Sequence, residues 1–522
     1  MTTKTVTPHR SPVTAERESF WYLVHAEWTK FRTVRGWVIA MIVAILVIPA
    51  FVFIASSSGS SCHASGAAGG SACAPVPTGP GGEPVNDAFY FVHQPLTRNG
   101  TITAAVTSLT GQQSVGPNQM APGLQPWSKA GIIIKANTSQ GSAYAAMMVT
   151  GSNGVRMQWD YVSDTPGLTG SVSASKPRWL RLVRVGDTIT GYDSADGTHW
   201  TPVGTAALPG LTSTVQAGLF AAGTGSENPT VATGVFRHIG FSWPATQWTG
   251  TNVGGVNGPN SASGPGTFRR SAGTVTVTGY GDISPQLSPQ GAWSIQRALD
   301  GTALGLIPLI VVGAMFITAE YRRGLIRVSL AAAPRRGRLL AAKAVVIGAV
   351  SFVTGLIAAT LAVAIGTRTL ATSSQPLWPV PALTLARMVA GTAALLAVAA
   401  VLALAIGTIR RRSAPAVTAA IVMIFVPYLL AIVPPLQSGP GPRGTTGGGL
   451  GLVARDWLLR IAPAAGFSVQ QAVPRFPQVT GVIYTPNWGY YPLAPWVGFA
   501  VECAWAAAAL ALALYLLRRR DA

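Results

Sequence analysis

Six apolar runs, each long enough to cross a bilayer, constrain this chain more than any other feature. A spanning helix needs about 20 predominantly apolar residues, and it satisfies its own backbone where no water can. The runs are Gly36–Ala55, Gly301–Ala319, Ala344–Thr367, Met388–Ile409, Ser413–Leu436 and Ala494–Leu517. Buried core helices of a soluble protein would explain neither these lengths nor the charges at their margins. Composition agrees: 48% of the 522 residues are hydrophobic and 10% are charged, against about 25% charged in soluble domains. A single soluble enzyme and a polar disordered chain are both disfavoured. The 59 Gly and 38 Pro suit β-turns better than a pure helix bundle, so a β-rich domain is expected beside the spans.

The formal charge of +20 follows from orientation, because Lys and Arg gather on the cytoplasmic side of spanning helices. One cluster precedes the first run (Lys4, Arg10, Arg17, Lys30, Arg32, Arg35), and a second separates runs two and three (Arg322, Arg323, Arg327, Arg335, Arg336, Arg338, Lys343). Arg410–Arg412 and Arg518–Arg520 supply the rest. Six crossings place both termini in the cytoplasm with every cluster on that side, as expected of a multi-pass plasma-membrane protein. Residues 56–300 are then extracellular, with nearly balanced charge. A nucleic-acid partner would require a basic patch interleaved with aromatics on a folded domain, and none is expected. The first run begins at Gly36 and is long enough to span, so it reads as an uncleaved anchor. Ahead of it Phe20, Trp21, Val24, Trp28 and Phe31 recur at helical spacing, with Glu27, Lys30 and Arg32 towards the other side. That pattern predicts an amphipathic helix lying along the interface.

Residues 56–85 open with a Gly/Ser/Pro-rich tether holding Cys62 and Cys73. These two could pair if the stretch meets an oxidising compartment. From Asn86 the texture changes to short runs between turn residues, among them Thr101–Val106, Gly131–Lys135, Tyr144–Thr150, Trp179–Val185 and Val215–Ala221. Strands at this spacing predict an all-β sandwich. Asn153-Gly154 and Asp196-Gly197 are hairpin signals. The alternating Thr274–Thr278 reads as one more strand.

The phrases WSKAGIIIKANTSQGSAYAAMMVTGSNGVRMQWDY and PRWLRLVRVGDTITGYDSADGTHWTPVG, followed by VQAGLFAAG, resemble the concanavalin-like (laminin-G-like) jelly rolls. The loop ITAEYRRGLIRVSLAAAPRRGRLLAAK, the segment LLRIAPAAGFSVQQ and the ending PWVGFAVECAWAAAALALALYLLRRR resemble the permease subunits of ABC-2-type transporters. The expected fold is a multi-pass α-helical membrane protein of six transmembrane helices, with an all-β jelly-roll sandwich between helices one and two. Its expected divisions are 1–55 (amphipathic helix and first span), 56–85 (tether), 86–243 (jelly roll), 244–300 (linker with a further strand) and 301–522 (spans two to six).

The resemblance implies a half-transporter that dimerises and is driven by a separate ATPase subunit, which holds the ATP and magnesium. No cofactor is expected in this chain itself. A Walker A loop needs Gly-Lys-[Ser/Thr] to cradle phosphates, and no lysine here follows a glycine. The resemblance also implies that the loop after span two docks on the ATPase. Carried over, Glu320, Tyr321, Arg322, Arg323, Gly324, Arg327, Arg335, Arg336 and Arg338 would form the coupling element. The plainer reading is that these arginines only fix topology. Glu502 is the one carboxylate inside a span, where ionisable groups face a bundle interior or a hydrated path. It is the candidate for the substrate path, a hydrated interfacial position being the alternative.

Trp127, Trp159, Tyr161 and Trp200 could stack on an extracellular glycan, although aromatics in a sandwich are more often core. A membrane-anchored glycan- or partner-binding protein without transport is the second reading. A tethered hydrolase is the third, disfavoured because no convincing pair of carboxylates at glycosidase spacing stands out. No metal ligands with coherent spacing occur.

Overall fold

The computed structural model describes residues 20–57, 76–116, 119–224, 230–244, 247–254, 266–287, 293–322, 324–325, 335–371, 376–432, 452–479 and 484–520. Cys62 and Cys73 lie outside the described residues. Six helices among them are long and apolar enough to cross a membrane.

Helix α1 (Phe20–Thr33) leads after one residue into α2 (Arg35–Ser57). The strands follow, and then come α3 (Thr302–Arg322), α4 (Arg336–Ala371), α5 (Ala382–Arg410) and α6 (Ser413–Ile432). A short α7 (Leu452–Ile461), a 3-10 stretch Pro463–Gln470 and α8 (Pro495–Arg520) close the chain. Apolar composition makes α2–α6 and α8 helical in a membrane, and small residues decide how they pack. Gly313 lies against the backbone of Ala400 and Gly407 against that of Ala314, leaving no room for a Cβ. The backbones of α3 and α5 therefore approach closely, as small residues permit between spanning helices. Gly301 and Gly305 seat Ile48 of α2 in the same way. Pro49, Pro308 and Pro427 sit inside spanning helices, where neighbouring helices and local adjustments satisfy the freed backbone groups.

The strands build two large antiparallel sheets. One runs Thr249–Val253, Phe89–Thr97, Thr214–Ala222, Lys129–Lys135, Tyr144–Thr150, Val155–Trp159, Ser163–Pro166. The other runs Thr201–Ala207, Thr188–Ser194, Arg178–Val185, Gly100–Gly116, Thr230–Phe241, Thr274–Tyr280, Thr267–Ser271, with Gln119–Pro122 pairing off Gly100–Gly116. Between them lies one core, including Val92, Ile102, Ile132, Met147, Leu180, Leu219 and Phe236. Lys129–Lys135 and Tyr144–Thr150 are buried at every position, so this sheet is covered on both faces. Its second face carries Phe89, Phe91, Ile133, Tyr144, Phe220 and Tyr161, together with Val85 and Ile283. Continuous apolar runs, rather than alternation, are what doubly buried strands require.

The stretch 244–300, expected as a linker with one further strand, contributes four strands. Thr249–Val253 pairs with Phe89–Thr97, and Thr267–Ser271 and Thr274–Tyr280 extend the second sheet. Ile283–Pro285 pairs with Val85–Asp87. The alternating Thr274–Thr278 lies in Thr274–Tyr280, as expected, whereas the turn-rich composition of 250–266 conceals Thr249–Val253 and Thr267–Ser271 on either side of it, although Trp248 and Phe268 pack on the core. Because Val85 and Pro285 are partners in register, the chain enters and leaves the sandwich side by side. A domain built this way fits into a loop between two consecutive spans.

Candidate functional site

Helix α3 is the first long helix after the sandwich and runs 21 residues from Thr302 to Arg322, about 30 Å at 1.5 Å per residue. At that far, basic end four charges from three helices meet. Lys343 Nζ of α4 donates to Glu27 Oε2 of α1 and to Glu320 Oε1 of α3, both at 2.7 Å. Lys30 Nζ donates to Glu27 Oε1 at 2.7 Å and to Glu320 Oε1 at 3.0 Å. Lys343 is fully buried and Glu27 is 2% exposed.

Local sequence explains the assembly. Glu27 and Lys30 stand three apart and so share a helix face. Phe31, one residue on, is buried and packs edge-on to Phe316 of α3, which turns that face inward. Trp21 and Tyr22 remain 70% and 75% exposed. The charged face expected to point away from the membrane interior is thus the one that docks. A buried ion is costly unless its partners are well placed, and two carboxylates with two ammoniums leave the cluster electrically neutral. The Lys30 ammonium is held above its ordinary value: burial opposes its charge, but Glu27 and Glu320 outweigh that through hydrogen bonds and charge.

The residues expected to form one coupling loop are divided by the structure. Glu320 is buried in the cluster, not offered to a partner surface. Tyr321 is half-buried with the Arg411 guanidinium 5.4 Å from its ring centroid. Arg336 donates to the carbonyls of Leu517 at 2.8 Å and Arg518 at 3.3 Å. It therefore caps the C-terminal end of α8, where orphan carbonyls favour a cation. Arg322, Arg335 and Arg338 are exposed, and Gly324 takes a left-handed φ of 69°. Arg323 and Arg327 lie outside the described residues. Sequence reasoning missed the site roles of Glu27, Lys30 and Lys343. The usable signals were the i, i+3 spacing of the first two and the lone lysine at the start of a span.

Glu502 of α8 is 2% exposed, and its Oε2 has no hydrogen-bond partner among the described residues. It faces Gly466 of the 3-10 stretch, where a Cβ would collide with the carboxylate. Gly498, one turn earlier on α8, lies equally close to Ser468. The bare glycine backbone lets the stretch lie flat on the helix.

The sequence profile of the ABC-2 family transporter proteins matches residues 261–522. The chain belongs to the ABC-2 transporter family. No curated protein matches it. Among solved structures, a functionally unknown protein from Saccharomyces cerevisiae is 15% identical, over 33% of this chain and 84% of its own, with a TM-score of 0.21. Scytalido-glutamic peptidase bound to a transition-state analog inhibitor is 8% identical, over 38% of this chain and 100% of its own, with a TM-score of 0.22. Likenesses this slight say nothing about activity.

In this ABC-2 protein the four aromatics considered for glycan stacking are largely engaged in packing. Trp127 is 6% exposed and Tyr161 is 1% exposed, so neither presents a free ring. Trp159 packs against the sandwich core. Trp200 is half-buried, with the Arg181 guanidinium stacked 3.7 Å from its centroid. The rings are used for packing and for holding arginine, as most aromatics in a sandwich are.

Proposed function

We propose that this ABC-2 protein is the permease subunit of an exporter powered by a separate ATPase subunit bound at its cytoplasmic face. The family match over spans two to six is the observation that carries this reading. ATP and magnesium belong to the ATPase, the permease acts as a homodimer, and both termini face the cytoplasm. The sandwich is an extracellular jelly roll of the concanavalin-like type, in keeping with its two packed antiparallel sheets.

The buried cluster gives this reading a mechanical form. Glu27, Lys30, Glu320 and Lys343 tie the amphipathic helix to spans two and three. A push on that helix, or on the exposed Arg322, Arg335 and Arg338, reaches both spans as one unit. Charged surfaces of this kind set orientation more than raw affinity. The test is to purify the full chain with its membrane and identify a co-purifying P-loop ATPase. The reconstituted pair is then assayed for transport-linked ATP hydrolysis. An ATPase that fails to co-purify, or whose turnover ignores the permease, would overturn the assignment.

A further inference from the structure

The sandwich touches the helical bundle through a hairpin tip with an unusual backbone. Between the paired residues Trp159 and Ser163, Asp160 and Tyr161 have φ values of 43° and 63°. Two successive left-handed residues that are not glycine are costly, most of all for a bulky tyrosine. The tip is nevertheless held from both sides. On the sandwich side the Tyr161 hydroxyl bonds Asp87 Oδ2 at 2.7 Å, and Lys135 Nζ donates to the same hydroxyl at 3.1 Å. Towards the bundle, Gln478 Nε2 donates to the Tyr161 carbonyl at 2.9 Å. Val162 packs against the bundle's own apolar core. Gln478 is 2% exposed, so the bond is shielded from bulk solvent.

The chain that carries Gln478 continues from the 3-10 stretch over Glu502. Gln470, the last residue of that stretch, donates to Thr302 at 3.0 Å and Thr392 at 3.2 Å, touching α3 and α5. Arg387 of α5 donates to the carbonyl of Gln471. All eight residues Pro463–Gln470 are buried, yet they form a 3-10 helix well beyond the usual three or four residues. Long runs of this kind have poor hydrogen-bond geometry and often mark hinges. The stretch is thus intrinsically weak and is fixed from outside by its neighbours.

We propose that the hairpin tip is a strut: by holding Gln478, the sandwich keeps Pro463–Gln470 seated as a plug over the Glu502 carboxylate. The sandwich then acts on what covers Glu502 and is not merely appended to the bundle. This holds whether or not the permease reading above is right, since it concerns only what covers Glu502.

The experiment uses the full chain in lipid nanodiscs without any ATPase, and N,N′-dicyclohexylcarbodiimide as an apolar carboxyl reagent. Labelling of Glu502 is followed by mass spectrometry. In the unaltered protein Glu502 labels slowly. Gln478→Met keeps the bulk but removes the donor, and a buried hydrogen bond of ordinary strength corresponds to roughly five- to tenfold faster labelling. Gln478→Asn, which withdraws the amide by one carbon, raises the rate too. Thr267→Val, exposed on the edge strand Thr267–Ser271 of the second sheet, leaves it unchanged and controls for general loosening. Equal labelling in all four proteins, or rapid labelling of the unaltered chain, overturns the strut.

Discussion

Lys135 in the sandwich and Lys343 in the bundle are both fully buried, yet they are neutralised in opposite ways. Lys135 meets one carboxylate, Asp87, at 2.7 Å. A second such pair, Lys129 with Asp282 at 2.8 Å, lies at the other end of the same strand. Both acids come from the segments that bring the chain into and out of the sandwich, so the pairs staple that two-stranded ribbon onto the sheet. Burial pulls the Lys135 ammonium below its ordinary value in spite of Asp87. Lys343 instead shares two carboxylates with Lys30, which stands half in solvent. A one-to-one pair in a closed core has one arrangement. A four-charge cluster with one exposed member can lose a contact and keep the rest. The first arrangement suits a fixed joint, the second a joint between moving helices.

The largest effect that could break this comparison is expected in the sandwich. Asp87→Ala strands a buried ammonium and should cost about 3–5 kcal/mol, read as an early β-sheet transition in the thermal melt of the full chain. Asp87→Leu with Lys135→Met should recover only part of that loss: the ion pair is removed cleanly, but the Gly141 N–H and the Tyr161 hydroxyl lose the acceptor Asp87 gave them. Lys343→Met should cost less, roughly 2–3 kcal/mol, since Lys30 still faces both carboxylates. A loss equal to or above that of Asp87→Ala would show that the cluster is not shared as the distances suggest.

Smaller effects sharpen the same contrast. Lys30→Met removes the half-exposed member and should change stability by no more than about 1 kcal/mol. Its pKa is raised above the ordinary 10.5, so its contribution is complete below that pH and fades as pH rises through the higher folded value. The gap between the unaltered protein and Lys30→Met should accordingly close in alkaline buffer. The smallest effect concerns the exposed pair His199–Asp196, 2.6 Å apart. The hydrogen bond and charge of Asp196 raise the His199 imidazole above its ordinary 6.5. Any stabilisation is present below that pH and is lost as pH rises through the folded value. Imidazole resonances titrating at or below 6.5 would remove the pair.

The jelly-roll phrases and the apolar runs made the two halves of the molecule legible, and the strand-rich reading of 86–243 was visible in short runs between turn residues. Of the four strands after Trp243 only Thr274–Tyr280 was legible, through its alternating Thr and Val; Gly, Ser and Pro around 250–266 mimic a tether and hide its neighbours. The coupling loop was legible as a charged segment, but its members were assigned one role where three-dimensional contacts give several.

Sequence alone determined how many times this chain can cross a bilayer and where a β-domain interrupts it. Those features depend on local composition and period, which any stretch carries by itself. Only the tertiary structure decided that Glu320 is buried, that Arg336 caps α8, and that Tyr161 holds Gln478 from 317 positions away. Such roles depend on which side chains meet across long chain separations, and burial turns an ordinary charge or carbonyl into a site only after the neighbours have arrived.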